Sequence, residues 1–218
     1  MTLALFDLDN TLLSGDSDYG WGCFLVEKNI VDKAQYEAAN LNFFEQYQQG
    51  KLDIYEYSAF SFAPLANMSM DKLNALHREF MEQFIAPMMG EKARQLVQHH
   101  KDLGHTLLVI TATNSFITGP IARAFGIDNL LATDPKIVNN RYTTEIDGIP
   151  CYKEGKVTRL NQWLSEHDIT LQGSYFYSDS SNDLPLMRLV DHPVAVDPDD
   201  ELASFAEQSG WEIISLRN

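Results

Sequence analysis

Cationic side chains are scarce in this chain: 16 Lys and Arg stand against 31 Asp and Glu, a formal net charge of -15 over 218 residues. That balance argues against a nucleic-acid partner, because phosphate backbones are gripped by lysine and arginine. It also repels small anions at long range, so any phosphate-handling site must supply its own local cation or metal. Cysteine is nearly absent. Cys23 and Cys151 form no CxxC or Cys/His pattern, and two isolated cysteines fit a reducing compartment better than a disulfide framework. No apolar run approaches the roughly 20 residues of a membrane helix. The opening MTLALFDLDNTLL has no basic stretch ahead of its apolar residues. Repeats and low-complexity tracts are missing too. These absences lead to the expectation of a soluble cytoplasmic protein, a monomer or small homo-oligomer, with no membrane and no nucleic-acid partner.

Present instead are short apolar runs separated by helical patterns. Leu3-Ala4-Leu5-Phe6 ends abruptly in Asp-Leu-Asp-Asn-Thr, and Thr106 to Ile110 ends at Thr111-Ala112-Thr113-Asn114. Tyr175 to Tyr177 runs into Ser178-Asp179-Ser180-Ser181-Asn182-Asp183, and Val194 to Val196 into Asp197-Pro198. Each reads as a buried strand whose far end opens into a polar loop, as in a parallel sheet covered on both faces. Residues 91–103 and 155–167 carry apolar side chains at helical spacing, and 182–190 and 201–209 are shorter helical candidates. The alternation predicts an α/β fold, a doubly wound parallel sheet. Asn139-Asn140 and Asp147-Gly148 suggest a small hairpin or flap between the sheet strands and the helix at 155.

The stretch from Ser14 to Met89 breaks this rhythm. It is helical in periodicity, as at Leu73, Leu76, Phe80 and Phe84, and holds 13 of the 24 aromatic residues. The organisation expected is therefore an α/β core of residues 1–14 and 90–218 with a helical cap of residues 15–89 inserted after the first strand. An insert there sits over the carboxyl edge of the sheet, where open α/β proteins bind ligands.

Asp7 and Asp9, two apart at a strand end, can face one side of the backbone. They read equally well as a metal-neutralised pair or as a turn cap made by Asp9-Asn10-Thr11. Asp179 and Asp183 follow another strand and bring a second acidic pair to the same edge. Four acids there call for a divalent metal, because unpaired buried carboxylates are costly. Thr111 ends the middle strand, where its hydroxyl and the N–H of Ala112 can meet a phosphate oxygen. Asn114 stands in the same strand-end loop, and Lys156 opens a helix after Gly155. Lys153 competes for the role of Lys156.

These pieces, in this order, resemble the haloacid dehalogenase superfamily of phosphohydrolases across the whole chain. FDLDNTLL at 6–13, VITAT at 109–113, GKVTRL at 155–160 and YSDSSNDLPLM at 177–187 resemble its four motifs. The resemblance implies that Asp7 is a nucleophile forming an aspartyl-phosphate and Asp9 its acid/base partner. It places Mg²⁺ on Asp7, Asp9 (through its backbone carbonyl) and Asp179, with Asp183 in or near that shell. Thr111, Ala112, Asn114 and Lys156 become the phosphate ligands. The dehalogenases of the superfamily lack an acid at the second position, since a halide leaves without a proton; Asp9 therefore marks a phosphatase. The insert resembles the cap of the phosphoserine-phosphatase-like branch. GDSDYGWGCFLVE at 15–27 and IPCYKEGKVTRLNQWL at 149–164 are similar to histidinol-phosphatase-like hydrolases. From that branch, and from a net charge of -6 over residues 14–90, the expected substrate is a small phosphorylated metabolite. Histidinol phosphate or a related amino-alcohol phosphate leads, with phosphoserine as the alternative and Asp16, Asp18, Trp21 and Glu27 as candidate contacts. A phosphotransferase would share the intermediate. A phosphoryl-accepting receiver domain is the non-enzymatic rival, but it needs neither the acid at position 9 nor a large helical insert.

Overall fold

Strand β1, Leu3–Phe6, is four apolar residues with no exposed surface, and everything else is arranged about it. The computed structural model describes residues 2–49 and 51–217. The remaining sheet strands are β2 (Thr106–Asn114), β3 (Asn129–Thr133), β6 (Tyr175–Ser178), β7 (His192–Val196) and β8 (Glu212–Ile214); a separate hairpin holds β4 (Pro135–Val138) and β5 (Arg141–Ile146). The sheet order is β3-β2-β1-β6-β7-β8, and every pairing in it is parallel. Reversal of strand order at β1 puts a crevice at the carboxyl ends of β1, β2 and β6, the usual ligand position in such sheets.

Alternation along the strands splits the core in two. Ala4, Phe6, Val109, Tyr177 and Val194 face one cluster, while Leu3, Leu5, Leu108, Ile110, Phe176 and Ala195 face the other. Helices α6 (Glu91–Asp102) and α7 (Ser115–Ala124) cover the first face with Ala93, Val97, Ile117 and Ile121. Helix α8 (Glu154–His167), the short α9 (Leu184–Met187) and α10 (Asp200–Ser209) cover the second with Leu160, Trp163, Met187 and Leu202. A strand buried on both faces needs to be apolar at every position, which is why β1 shows no alternation.

Between β1 and β2 stand α1 (Ser17–Glu27), α2 (Lys33–Gln48), α3 (Ile54–Ala66) and α4 (Met70–Phe80), which continues through a wider turn, Met81–Ile85, into α5 (Ala86–Met88). Asp16, Asp32, Asp53 and Ser69 cap α1 to α4, each side chain accepting backbone N–H groups of the first turn. Part of the insert's acidity thus serves helix starts. The hairpin anticipated near Asn139-Asn140 is β4–β5; both asparagines hold positive φ, 51° and 58°, as a tight two-residue turn demands.

Two strands lie outside the sequence expectation. Strands β3 and β8 are the sheet edges, five and three residues long, and β8 is largely solvated. Strand β8 is too short and too solvated to show a period, whereas β3 carries the apolar run Leu130-Leu131-Ala132 and was passed over. Helix α7, also unanticipated, contains Gly119 and Pro120. The helix expected over 182–190 is instead a 3-10 turn, Ser181–Asp183, followed by α9, because the chain must turn back by His192 to enter β7. No described helix is long and apolar enough to cross a membrane.

Beneath the sheet's first face, His100 of α6 is buried at 1% exposure, its Nδ1 2.8 Å from His105 Nδ1 and its Nε2 2.8 Å from the Tyr177 hydroxyl. Burial, reinforced by the neighbouring His105 and His99, pushes its pKa down to about 4. The unfolded chain then binds a proton that the folded chain refuses between pH 6.5 and 4. Stability from this residue is present above 6.5 and is lost as pH falls through that window. Between pH 8 and pH 5 the loss amounts to about 2 kcal/mol. Denaturant unfolding of the protein and of His100→Gln at both pH values measures it: the variant is expected to lose that much less on acidification, and equal losses would rule His100 out as the cause.

Candidate active site

Asp7 follows directly on β1, and its N–H donates to the carbonyl of Tyr177 at 2.9 Å, tying it to the neighbouring strand β6. The residue is 7% exposed. Lys156, in the first turn of α8, donates to Asp7 Oδ1 at 2.7 Å and to Asp183 Oδ2 at 2.7 Å, with all three side chains buried. The approach of α8 depends on Gly155, where a Cβ would stand 2.0 Å from the Pro150 carbonyl. Asp183 Oδ2 also accepts from Ser178 Oγ at 2.7 Å. Burial pulls the Lys156 pKa down, but Asp183 and Asp7 outweigh it and hold the pKa above the ordinary lysine value.

Asp9 sits on the turn that leaves β1. It keeps an extended backbone (φ -72°, ψ 134°), and Asn10 after it is left-handed (φ 54°, ψ 3°), a conformation asparagine tolerates better than most residues. This turn aims the Asp9 carboxylate between α1 and β2. Its Oδ1 accepts the Ser17 N–H at 2.6 Å and its Oδ2 the Thr113 hydroxyl at 2.8 Å. Burial pushes Asp9 up to about 7, with Asp16 adding to the effect. Asp7 is also raised to about 7 by burial, against the opposing pull of Lys156.

Thr11 links the first loop to the second: its hydroxyl donates to Asp179 Oδ1 at 2.9 Å and accepts the Asp179 N–H at 3.1 Å. Asp179 is held well above the usual carboxylate range by burial and then by Asp7. So the partly buried Asp179 feels the charge of Asp7 while the Lys156 ammonium is committed to Asp7 and Asp183. That donor set, all oxygen and short of positive charge, fits a hard divalent ion such as Mg²⁺. Among the described residues no three acidic, His or Cys side chains are already gathered as a metal cage. Mg²⁺ does not require one, since it takes one or two carboxylates and completes its shell with water and other oxygens.

Over these groups lies a cavity of roughly 100 Å³. Its floor is Asp7, Asp9, Thr111, Ala112, Thr113, Lys156, Asp179 and Asp183. Helices of the insert supply the walls, including Asp16, Asp18, Phe43, Tyr47 and Tyr57, and Tyr152 closes the side next to α8. Six carboxylates line the cavity against one cation, Lys156, among the described residues. Asp18 is 9% exposed and bridges α1 to α3, accepting from the Tyr57 hydroxyl at 2.5 Å and the Ser61 hydroxyl at 3.1 Å. Burial raises Asp16 and Asp18 each to about 6.

Comparison with known proteins agrees with the geometry. The sequence profile of the haloacid dehalogenase-like hydrolases matches residues 4–188, most of the chain. The chain belongs to the haloacid dehalogenase-like hydrolase family. A relative from Neisseria meningitidis serogroup C (strain 8013), named histidinol-phosphatase, is 48% identical over 219 aligned residues, covering 99% of each chain. A solved structure of a protein of unknown function from Bordetella pertussis Tohama I matches with a TM-score of 0.93 at 43% identity over 100% of both chains. A phosphoserine phosphatase solved as a phospho-aspartyl intermediate analogue matches with a TM-score of 0.71 at 16% identity, covering 100% of this chain and 94% of that one; this likeness is one of fold. The protein is an enzyme, a phosphatase, and phosphohydrolases of this family are generally magnesium-dependent.

The hydrolase gathers most of the anticipated residues at one place. Asp7, Asp9, Thr111, Ala112, Lys156, Asp179, Asp183, Asp16 and Asp18 all line the cavity. Four candidates do not. Asn114 turns its carboxamide to the Ile117 N–H and caps α7, because the first free donors after β2 are those of that helix. Trp21 is 1% exposed in the aromatic core of the insert, stacked on Phe24 and edge-on to Phe80 and Phe116, since its face of α1 points away from the cavity. Glu27 is exposed at the far end of α1. Lys153 precedes α8 with φ 49° and its ammonium over the Tyr152 ring at 5.3 Å, outside the cavity lining. Sequence reasoning passed over Thr113, which holds Asp9; a threonine two places after Thr111 in an extended strand shares its face, and that periodicity was the available signal. Tyr47, Tyr57 and Tyr152 were legible only as part of an aromatic-rich insert or a flap.

Proposed function

We propose that the protein hydrolyses small cationic phosphomonoesters, histidinol phosphate or a related amino-alcohol phosphate, through an aspartyl-phosphate on Asp7. The observation that carries the reaction is the disposition of the two acids. Asp7 is the buried strand-end carboxylate beside Lys156, whereas Asp9 is held two residues on by Ser17 and Thr113. Asp7 attacks phosphorus, the P–O bond to the substrate alcohol breaks, and Asp9, raised to about 7 and thus partly protonated near neutrality, delivers its proton to the departing oxygen. Asp9 then takes a proton from water as that water attacks the phosphorus of the aspartyl-phosphate, releasing phosphate and restoring Asp7. Lys156 and Thr111 hold the phosphoryl oxygens, and the charge of Lys156 offsets what develops there. Asp7, Asp179 and the backbone carbonyl of Asp9, with Asp183 nearby, would hold a Mg²⁺ ion, which would supply further neutralisation of charge on the phosphoryl group.

Substrate class follows from the charge of the walls. With six carboxylates and one ammonium already engaged, a substrate tail bearing a carboxylate finds no free cation in the lining among the described residues, while an amine or imidazolium meets Asp16, Asp18, Tyr47, Tyr57 and Tyr152. Phosphoserine carries a carboxylate; histidinol phosphate does not. The relative named histidinol-phosphatase supports the same choice. A panel of phosphomonoesters assayed with Mg²⁺ is expected to rank histidinol phosphate above phosphoserine by at least tenfold in kcat/KM, about 1.4 kcal/mol. Faster turnover of phosphoserine or of uncharged sugar phosphates would overturn the substrate assignment and leave the phosphatase chemistry intact.

A further inference from the structure

Two acids, two residues apart beyond the carboxyl end of β7, brace the loops that carry the catalytic groups. Asp199 braces the second loop directly: its N–H donates to the Asp179 carbonyl at 2.8 Å, and its Oδ2 accepts the Ser181 N–H at 2.8 Å. Asp197 reaches the first loop through Arg217. The Arg217 guanidinium donates through Nη2 to the carbonyl of Asn10 and through Nη1 to that of Leu13 at 3.3 Å, while its Nε lies 3.7 Å from Asp197 Oδ2. Asp197 Oδ2 also accepts the Leu216 N–H at 3.0 Å, and Lys92 donates to the Arg217 carbonyl, so the segment bearing the guanidinium is itself tied down. Asp197 adopts φ 44° in making these contacts, a conformation rare outside glycine.

The loop so gripped is the one that aims Asp9. Its path depends on the left-handed Asn10, whose N–H closes the turn onto the Gly15 carbonyl at 3.0 Å. A guanidinium fork bonded to the carbonyls at both ends of residues 10–13 fixes the turn as one rigid piece, which a single-point cation would do less well. Arg217 does not line the cavity, and it touches neither Asp7 nor Asp9 through their side chains. We propose that Arg217, anchored by Asp197, is a positioning residue that sets the aim of the Asp9 carboxylate toward the leaving oxygen. This rests on the assignment of Asp9 as the proton donor.

The test separates leaving groups. Single-turnover release of the alcohol reports the first step alone, and is compared at saturating Mg²⁺ for an amino-alcohol phosphate and for p-nitrophenyl phosphate, whose phenolate departs with little need of a proton. Arg217→Met is expected to slow release of the alkyl alcohol roughly tenfold or more, and of nitrophenol less than about twofold. Arg217→Lys should recover part of the loss, and Asp197→Asn should show the same pattern more weakly. Equal slowing of both substrates, or none, overturns the proposal. If Arg217→Met fails to fold, Asp197→Asn decides by the same criterion. Asp9→Asn run in parallel distinguishes the two ways of failing. Leaving-group dependence in Asp9→Asn but not in the Arg217 variants overturns the positioning role alone, and its absence from all of them overturns the acid role of Asp9 as well.

Discussion

Asp7→Asn lowers turnover more than roughly 10³-fold and forms no acid-stable or alkali-labile phosphoprotein, because an amide cannot carry the phosphoryl group. The variant should still fold. Asp7 is a carboxylate that burial already disfavours, its pKa raised to about 7, and Asn fills the same space without the charge. Lys156 keeps Asp183 as its partner at 2.7 Å. A melting temperature within a few degrees of the parent is therefore expected, which separates lost chemistry from lost structure. Asp9→Asn should fall by roughly 10²- to 10⁴-fold, the usual contribution of a proton donor. It differs in kind, because the nucleophile remains and some phosphoenzyme can accumulate where water attack is the slower step. Normal turnover by Asp7→Asn would end the covalent mechanism whatever the other variant does.

Lys156→Met is expected to damage both stability and rate. The ammonium bridges Asp7 and Asp183, and all three side chains are under 10% exposed. Removing one partner of a buried ion pair leaves uncompensated charge and typically costs about 3–5 kcal/mol. For a chain of this size that corresponds to a fall of roughly 10 °C in Tm. Asp7 has a ready escape, since its pKa is already raised to about 7 and rises further without the lysine. Part of the lost stability should therefore return as pH drops from 8 to 6, where Asp7 takes up a proton. Turnover should fall at least about 100-fold with the loss of charge stabilisation at the phosphoryl oxygens. A variant that melts with the parent at pH 8 and keeps its activity would show that the two ion pairs are incidental. Lys156→Arg is not a conservative rescue here, as a planar fork replaces a compact ammonium in a closed space.

The centre of this protein was legible in one dimension because its parts are local. A strand buried on both faces must be apolar throughout and must end at once when it meets the active-site edge, so LALF followed by Asp-Leu-Asp announces both the strand and the acids. The same holds for β2 running into Thr111 and β6 running into Asp179. The edge strand β8 gives no such signal: it is three residues long, and being solvated it has little need of an apolar pattern.

Side-chain direction was the other hidden quantity. Asn114, four places from Ile110 in the same strand, was available to a phosphate on spacing alone, and only the start of α7 beside it decided that it caps a helix. Trp21 and Asp18 lie three apart on α1, yet one belongs to the aromatic core and the other to the cavity, according to which face of α1 meets Phe80 and which meets Tyr57.

The sparse cations that mark the composition end in a similar division. Sequence alone determined that any phosphate chemistry here needs a local positive charge, and it placed Lys156 at the start of a helix, because both follow from composition and short-range pattern. The tertiary structure decided that Lys156 would be shared between Asp7 and Asp183, and that Arg217 would close on a loop more than 200 residues earlier in the chain. Those choices come from packing strands in an order different from their order along the chain, and no local spacing encodes them.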